Sequence, residues 1–487
     1  MNPVTATKDA MRRNSNALLL IVCLGQFMTI LDVSIVNVAL PAIQDDLGFS
    51  DTGLQWVLNA YTLTFAGFLL LGGRASDLFG RRRMFFAGTL LFSGASLLCA
   101  ISPSSGLLVA ARSIQGIGAA ILSPATLAII TTSFDEGPPR NRALGIWGAI
   151  GAVGATAGVL LGGVLTEGLG WPSIFLINVP IGVAIVLFSS SLVPEGRGQT
   201  ENRHFDLAGA LLVTLGMTAL TYGIVTTDRL SWGSLGVLGP LAAGVVLLMA
   251  FIVYEGRIAP DPLMPLRVFR MRTLRAANLV IFLLYAAIFG FWFFQSLYMQ
   301  GTLHYSALHT GVAFLPLTIA VAVGAQLAPA LARRIGARVT LAAGMLAVAI
   351  GELLLTGVEP GGTYWAEVLP GGLFGAFGLG LALVPATIVA VQGVPGALSG
   401  LASGVLNTSR FVGAALGLAV LTTLAVSHTH SEVDAGTSAA TAVTDGFQLQ
   451  FEVGAIFCVV GAVAALVLLR PRAVEPLAQT AAEPERA

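Results

Sequence analysis

Lysine is nearly missing from this sequence: of 487 residues only Lys8, in the polar start of the chain, is one. A Walker A loop needs a lysine after its glycines to hold phosphate. No such loop exists here, so uphill work has to draw on an ion gradient or on ATP hydrolysed by another polypeptide. Charge of either sign is scarce as well, 10% of residues against about 25% in a soluble domain, which argues against a large water-soluble enzyme. The 25 basic and 25 acidic residues cancel, leaving no bulk attraction for nucleic acid. Cys23, Cys99 and Cys458 all lie in apolar runs and read as packing residues, neither a disulfide framework nor a metal set. The five histidines fall in expected connections, and His428 with His430 makes at most a weak metal pair.

Apolar residues, by contrast, make up 55% of the chain. Runs bounded by charges, Pro or Gly predict fourteen membrane helices near 17–40, 54–72, 84–101, 107–132, 144–165, 173–193, 207–226, 235–254, 276–298, 310–332, 337–356, 365–391, 401–426 and 451–469. At roughly 20 residues per span, about 290 residues are consumed and no room remains for a catalytic domain. The first run follows basic residues as a signal peptide would, but it is too long, contains Asp32 and lacks a cleavage site. It is expected to stay as span 1. The chain is thus expected to be an all-α integral membrane protein.

Orientation follows from the basic residues, which hold connections in the cytoplasm. With both termini inside, only Arg229 falls outside and only Arg112 and Arg410 within spans, while every other Lys and Arg is cytoplasmic. The connection after span 2, GGRASDLFGRRR (Gly72 to Arg83), has a weaker second copy after span 10, ALARRIGAR (Ala330 to Arg338). Their offset maps spans 1–6 onto spans 9–14 and leaves spans 7 and 8 as an inserted pair. The expected organisation is a cytoplasmic tail 1–16, a six-helix bundle 17–193, the inserted pair with its linkers 194–275, a second six-helix bundle 276–469 and a disordered cytoplasmic tail 470–487. The inserted pair is expected at the periphery.

Four motifs stand out. They are Gly73-x-x-x-Asp77-x-x-Gly80-Arg81-Arg82; Arg112-x-x-Gln115-Gly116-x-Gly118-Ala119-Ala120; Gly154-x-x-x-Gly158-x-x-x-Gly162-Gly163; and the pair LDVSIVNVALP (Leu31 to Pro41) with IFLINVPIG (Ile174 to Gly182). In combination they resemble the major facilitator superfamily, and within it the fourteen-span drug:proton antiporters. The third departs from the antiporter motif in having Val159 where proline is usual. The resemblance implies two six-helix bundles plus an inserted pair, no cofactor, a proton gradient as the driving force and an amphipathic small molecule as cargo.

Each motif also has a physical reading. Arg81 to Arg83 anchor topology. Asp77 has two readings: a simple loop cap, or a latch that closes the cytoplasmic side by meeting the helix N-terminus of span 13 near Gly400. Gly154, Gly158 and Gly162 share a helix face that admits a close neighbour, as static packing or as a sliding contact. Asp32 is the sharpest residue, since an acid at mid-span costs about 2.5–3.5 kcal/mol on insertion scales. Helical rise puts Asp32 about 12 Å and Arg112 about 8 Å below the outer end. The two are expected to meet at the central cavity and to be coupled, directly or through water, so that protonating Asp32 alters the pairing and the affinity for cargo; the alternative reading is a fixed structural ion pair.

Gln26, Asn37, Asn59, Tyr61, Gln115, Trp292, Gln295 and Arg410 are further candidates for a cargo cavity. The aromatic run of span 9, Phe289 to Tyr298, is expected to form mainly an interfacial belt, the alternative being that some of its rings stack against a flat apolar cargo, and Glu352 is expected to snorkel at the end of span 11. The function expected is a proton-coupled antiporter exporting drugs, antibiotics or dyes across a plasma membrane, bacterial by its excess of Arg over Lys. A lipid or single-metabolite exporter, and from other classes a membrane enzyme or a receptor, stay open. Membrane lipids surround it, and neither ATP nor nucleic acid is expected as a partner.

Overall fold

The structure, a computed structural model, describes residues 3–135, 138–195, 206–227, 230–260, 262–263, 271–391 and 399–469. The tail 470–487 and its expected disorder lie outside the described residues, as do the side chains of 3–14, Asp77 and 399–403. The Asp77 latch therefore falls outside them too.

Thirteen of the described helices are long and apolar enough to cross a membrane. In chain order the elements are α1 (Pro3–Leu47), α2 (Trp56–Phe79), α3 (Arg81–Ala100), α4 (Ser105–Ser133), α5 (Pro138–Leu169), α6 (Asn178–Leu192), α7 (Leu207–Thr226), α8 (Leu235–Val253), α9 (Arg272–Leu297), α10 (Leu315–Ile335), α11 (Ala337–Leu355), α12 (Leu369–Val391), α13 (Ser399–Asp434) and α14 (Ala439–Leu468). A short helix, Ala307–Ala313, leads into α10.

Two expectations are corrected here. The sixth span is not one helix: a single turn, Ser173–Leu176, precedes α6. Pro180 explains the break, because it has no N–H to return to the carbonyl of Leu176. α1 begins at Pro3, in a stretch of helix-favouring Ala, Lys, Met and Arg, so the helix runs back through the expected tail, while its membrane-length apolar part begins at Ser15. The stretch 427–450 is not a loop: α13 and α14 run on until only residues 435–438 separate them, and His428 and His430 ride on that extension of α13.

α1 to α6 pack as one bundle, with α2 and α3 against α4 and α1 against α5; α9 to α14 form the other, with α11 and α10 against α12 and α9 against α13 and α14. The inserted helices pair with each other. α7 is less peripheral than expected, because it lies against both α2 and α13 and so touches both bundles. Thr423 of α13 donates to the Ile224 carbonyl of α7 at 3.4 Å.

The two copies of the repeated loop have the same backbone. Gly80 (φ 100°, ψ 135°) joins α2 to α3, and Gly336 (φ 87°, ψ 147°) joins α10 to α11. Each reverses one helix into the next with no intervening residue, at a positive φ that costs a side-chain-bearing residue dearly. The acidic residue lost from the second copy is not needed for that turn.

Candidate functional site

Five elements of the first bundle each send a polar group to one point. Asp32 of α1 is 0% exposed and Arg112 of α4 is 1% exposed. Arg112 Nη1 donates to Asp32 Oδ2 at 2.5 Å and to Gln115 Oε1 at 2.6 Å. The other carboxylate oxygen accepts from Gln115 Nε2 at 2.7 Å and from Asn178 Nδ2 at 3.0 Å. Gln115 Nε2 also reaches Ser96 Oγ of α3 at 2.7 Å, and Arg112 Nε donates to the Val57 carbonyl of α2 at 2.9 Å. The guanidinium lies 4.5 Å from the Tyr61 ring centroid and 5.7 Å from that of Phe175, in a favourable cation–π arrangement.

Asp32 thus has three side-chain donors in a fully buried site. A buried ion pair offsets its desolvation only when its remaining lone pairs and protons are also satisfied, and here Asp32 meets that condition. The expected contact between Asp32 and Arg112 is present. Its setting differs from the expectation: the pair is sealed inside the first bundle instead of lining a cavity between the bundles. The reason is that α2, α3, α4 and α6 all turn toward the same stretch of α1 and close over it.

Asn178 and Ser96 were not singled out in the sequence. Asn178 stands in the quoted IFLINVPIG stretch and is aimed at Asp32 by the helix break beside it, whereas Ser96 gave no signal. Asn178→Leu should remove one carboxylate donor and leave the rest of the cluster. A lost buried partner costs about 1–3 kcal/mol, so a lowered unfolding midpoint in detergent, with Asp32 and Arg112 unchanged, is the expected readout.

The glycine face of α5 separates into two contacts. A Cβ on Gly158 would lie 2.7 Å from Ser34 Cβ and 2.8 Å from the Leu31 carbonyl, and one on Gly162 2.8 Å from the Ile35 carbonyl, so this face, with Gly154, packs α5 on α1 within one bundle. Gly163 turns the other way: its Cβ would meet the Ala307 carbonyl at 2.6 Å and Leu308 Cα at 2.7 Å, in the helix leading into α10 of the second bundle.

At this end the bundles are joined repeatedly. Ser296 donates to the Asn37 carbonyl at 2.8 Å, Gln300 to the Val38 carbonyl at 3.0 Å, and the Leu308 amide to Glu167 at 3.1 Å. Toward the end that carries Arg81 to Arg83 the same face of α5 is free. Gly145 lies about five turns before Gly163 on one helical line, yet a Cβ at Gly145 or Gly148 would meet nothing within 4 Å among the described residues. α5 is thus sealed against the second bundle at its Gly163 end and has no such contact at Gly145 among the described residues, while α2 and α13 also join the bundles, with Phe65 and Phe411 rings 4.5 Å apart and a Cβ on Gly404 2.4 Å from Leu70.

Gly163→Val should wedge the sealed end apart. A cysteine at the rim (Gln300→Cys), set against the buried native cysteines, should then react faster with a membrane-impermeant maleimide.

The remaining candidates do not converge. Gln26 is buried with an unpartnered Oε1, and Asn59 is buried, donating to Gln55 at 3.2 Å. Asn37 donates to the Val33 carbonyl of its own helix at 3.0 Å. Gln295 is buried, its amide bonded to the Phe291 carbonyl at 3.0 Å. Trp292 is half-buried, edge-on to Phe314 at 5.3 Å. Arg410 is half-buried, held by Asn407 at 3.0 Å and 5.5 Å from the Tyr285 ring. In the basic loop, Arg82 pairs with Glu195 at 2.5 Å, and among the described residues Gly73 has only Pro124 near its would-be Cβ, at 3.8 Å.

Two expectations fail outright. The α9 aromatics are not mainly a lipid belt, because Phe291, Phe293, Phe294 and Tyr298 are buried in the second bundle's core, where α13 and α14 cover them. Glu352 does not snorkel: it is 0% exposed, since α14 lies across it at Gly454.

This architecture defines a class: a multi-pass helical membrane protein of two related bundles with a charge cluster enclosed in the first. Residues 22–418 match the Major Facilitator Superfamily, and the chain belongs to that family. It is a membrane transporter, not an enzyme.

The chain is similar to the cephamycin export protein CmcT of Amycolatopsis lactamdurans, with 41% identity over 84% of this chain and 85% of that protein. It is also similar to the puromycin resistance protein pur8 of Streptomyces alboniger, with 40% identity over 91% and 88%. Among solved structures, the POT family transporter PepTSo matches with a TM-score of 0.69 at 16% identity, over 94% of this chain and 97% of that one. A bacterial homologue of the human lysosomal transporter Spinster, solved inward-facing and unoccupied, matches with a TM-score of 0.66 at 16% identity, over 93% and 97%. At such identities these structures speak for the fold alone. The protein is a multi-pass plasma-membrane protein.

Proposed function

We propose that this transporter is a proton-coupled antiporter that exports amphipathic organic compounds, antibiotics among them, from the cytoplasm or inner leaflet. The export of cephamycin and the resistance to puromycin named for its relatives support that cargo class. The observation that carries the coupling is Asp32, an acid buried at depth and held by Arg112, Gln115 and Asn178. With the basic loops in the cytoplasm, the end at which Gly163 seals α5 against the second bundle faces outward.

In this arrangement Asp32 is ionised and fully paired, the state expected after a proton has left for the cytoplasm and before cargo has been carried out. Rocking of the bundles about the midplane then breaks the contacts at Gly163, Ser296 and Gln300. If the same motion shifts α1 against α4, Asp32 parts from Arg112 and takes up a proton, because an unpaired carboxylate in low dielectric is costly. Each proton entering supplies about 2.3 kcal/mol per 100 mV of potential, enough to concentrate cargo many-fold. No cofactor has a role in this cycle.

Proteoliposomes test the reading. Several dyes and antibiotics should be exported with a pH or voltage gradient, and a protonophore should stop export. Transport of one compound alone would favour a dedicated exporter, and gradient-independent transport would overturn the coupling.

A further inference from the structure

The second bundle encloses an acid that the proposed cycle does not use. Glu352 on α11 is fully buried, and neither of its carboxylate oxygens has a hydrogen-bond partner. It points into a recess that a glycine of α14 leaves open: a Cβ on Gly454 would lie 2.9 Å from Glu352 Oε1 and 3.2 Å from Oε2. One turn earlier on the same face of α14, Gln450 is also fully buried, with neither amide atom bonded. Its Oε1 lies 2.8 Å from where a Cβ on Gly290 of α9 would be.

Among the described residues, the surroundings offer no countercharge. From α14 the titratable neighbour is Cys458, a buried free thiol. From α12 the facing positions on the adjoining turn are Gly371 and Gly375, packed on Gly351. The stretch Tyr364–Val368 carries Tyr364, bonded to the Ala313 carbonyl at 2.7 Å, and Glu367, which accepts from the Tyr298 hydroxyl of α9 and from the Glu359 amide. The basic residues of α10, Arg333 and Arg334, stand at the opposite end of the bundle, beside the start of α11.

An ionised carboxylate without a cation or donor is far more costly in a membrane interior than a neutral acid. Asp32 has three donors and Glu352 has none. We propose that Glu352 is a second proton-binding site of this transporter, holding its proton as a neutral carboxylic acid buried against Gly454 of α14. The assignment is independent of any coupling at Asp32, and it gives each bundle one buried acid, charged in the first and neutral in the second.

Infrared spectroscopy of the full chain in lipid at pH 7, carried out in an Asp32→Asn background, reads this directly. Asp32 contributes no carboxyl signal there, so the outcome does not depend on what Asp32 does. A protonated-carboxyl C=O stretch is expected, and adding Glu352→Gln, which is neutral and of the same shape, should remove it. A band that survives Glu352→Gln, or no band before it, would overturn the assignment. Should that variant not fold, Glu352→Asp keeps the acid and should move the frequency of the band; an unmoved band would again overturn it.

Discussion

Asp32→Asn is expected to abolish gradient-driven export while leaving expression and the fold near normal. Asparagine has the same shape and still accepts from Gln115 or Arg112, so the packing of α1 against α4 survives. The proton site does not. Proteoliposomes holding this variant should show no cargo accumulation above the protonophore control, and exchange of labelled cargo down its own gradient should continue, because bundle rocking needs no net proton movement. Loss of exchange together with export would point to a structural role for Asp32 instead.

Arg112→Leu should be the more damaging change to stability. It removes the guanidinium and strands the Asp32 carboxylate with only two amide donors in a sealed site. Breaking a buried pair from one side costs about 3–5 kcal/mol. The variant should unfold well below the parent in detergent or fail to accumulate. The double variant Asp32→Asn/Arg112→Leu removes the stranded charge and should recover most of that loss without recovering export. A double variant no more stable than Arg112→Leu would mean that the packing of Arg112 on Tyr61 and Phe175, not its charge, holds the site together.

The fold was legible wherever a single physical signal was strong. Thirteen apolar runs of membrane length emerge as helices, and the loop repeat emerges as two glycine reversals with matching backbone angles at Gly80 and Gly336. Helical rise alone brought Asp32 and Arg112 to similar depth, and they meet. What could not be read was direction around a helix. Consecutive aromatics on α9 point every way, and only the placement of α13 and α14 decides that Phe291, Phe293 and Phe294 are core. Glu352 lies three residues from the end of α11, where a helix alone suggests an interface; burial came from a neighbour about a hundred residues further along the chain. The glycine series on α5 looked like one face, yet Gly163, next to Gly162, crosses to the other bundle. Asn178 was hidden by treating span 6 as a continuous helix, although Pro180 already marked the break.

The measurement that bears most directly on the account is proton release on cargo binding, followed with a pH indicator in weakly buffered, detergent-solubilised protein across a series of starting pH values. The parent protein should release protons in proportion to cargo bound, and Asp32→Asn should bind cargo without releasing any through this site. Undiminished release from Asp32→Asn would contradict the account, because the exchanged proton would then belong to another group.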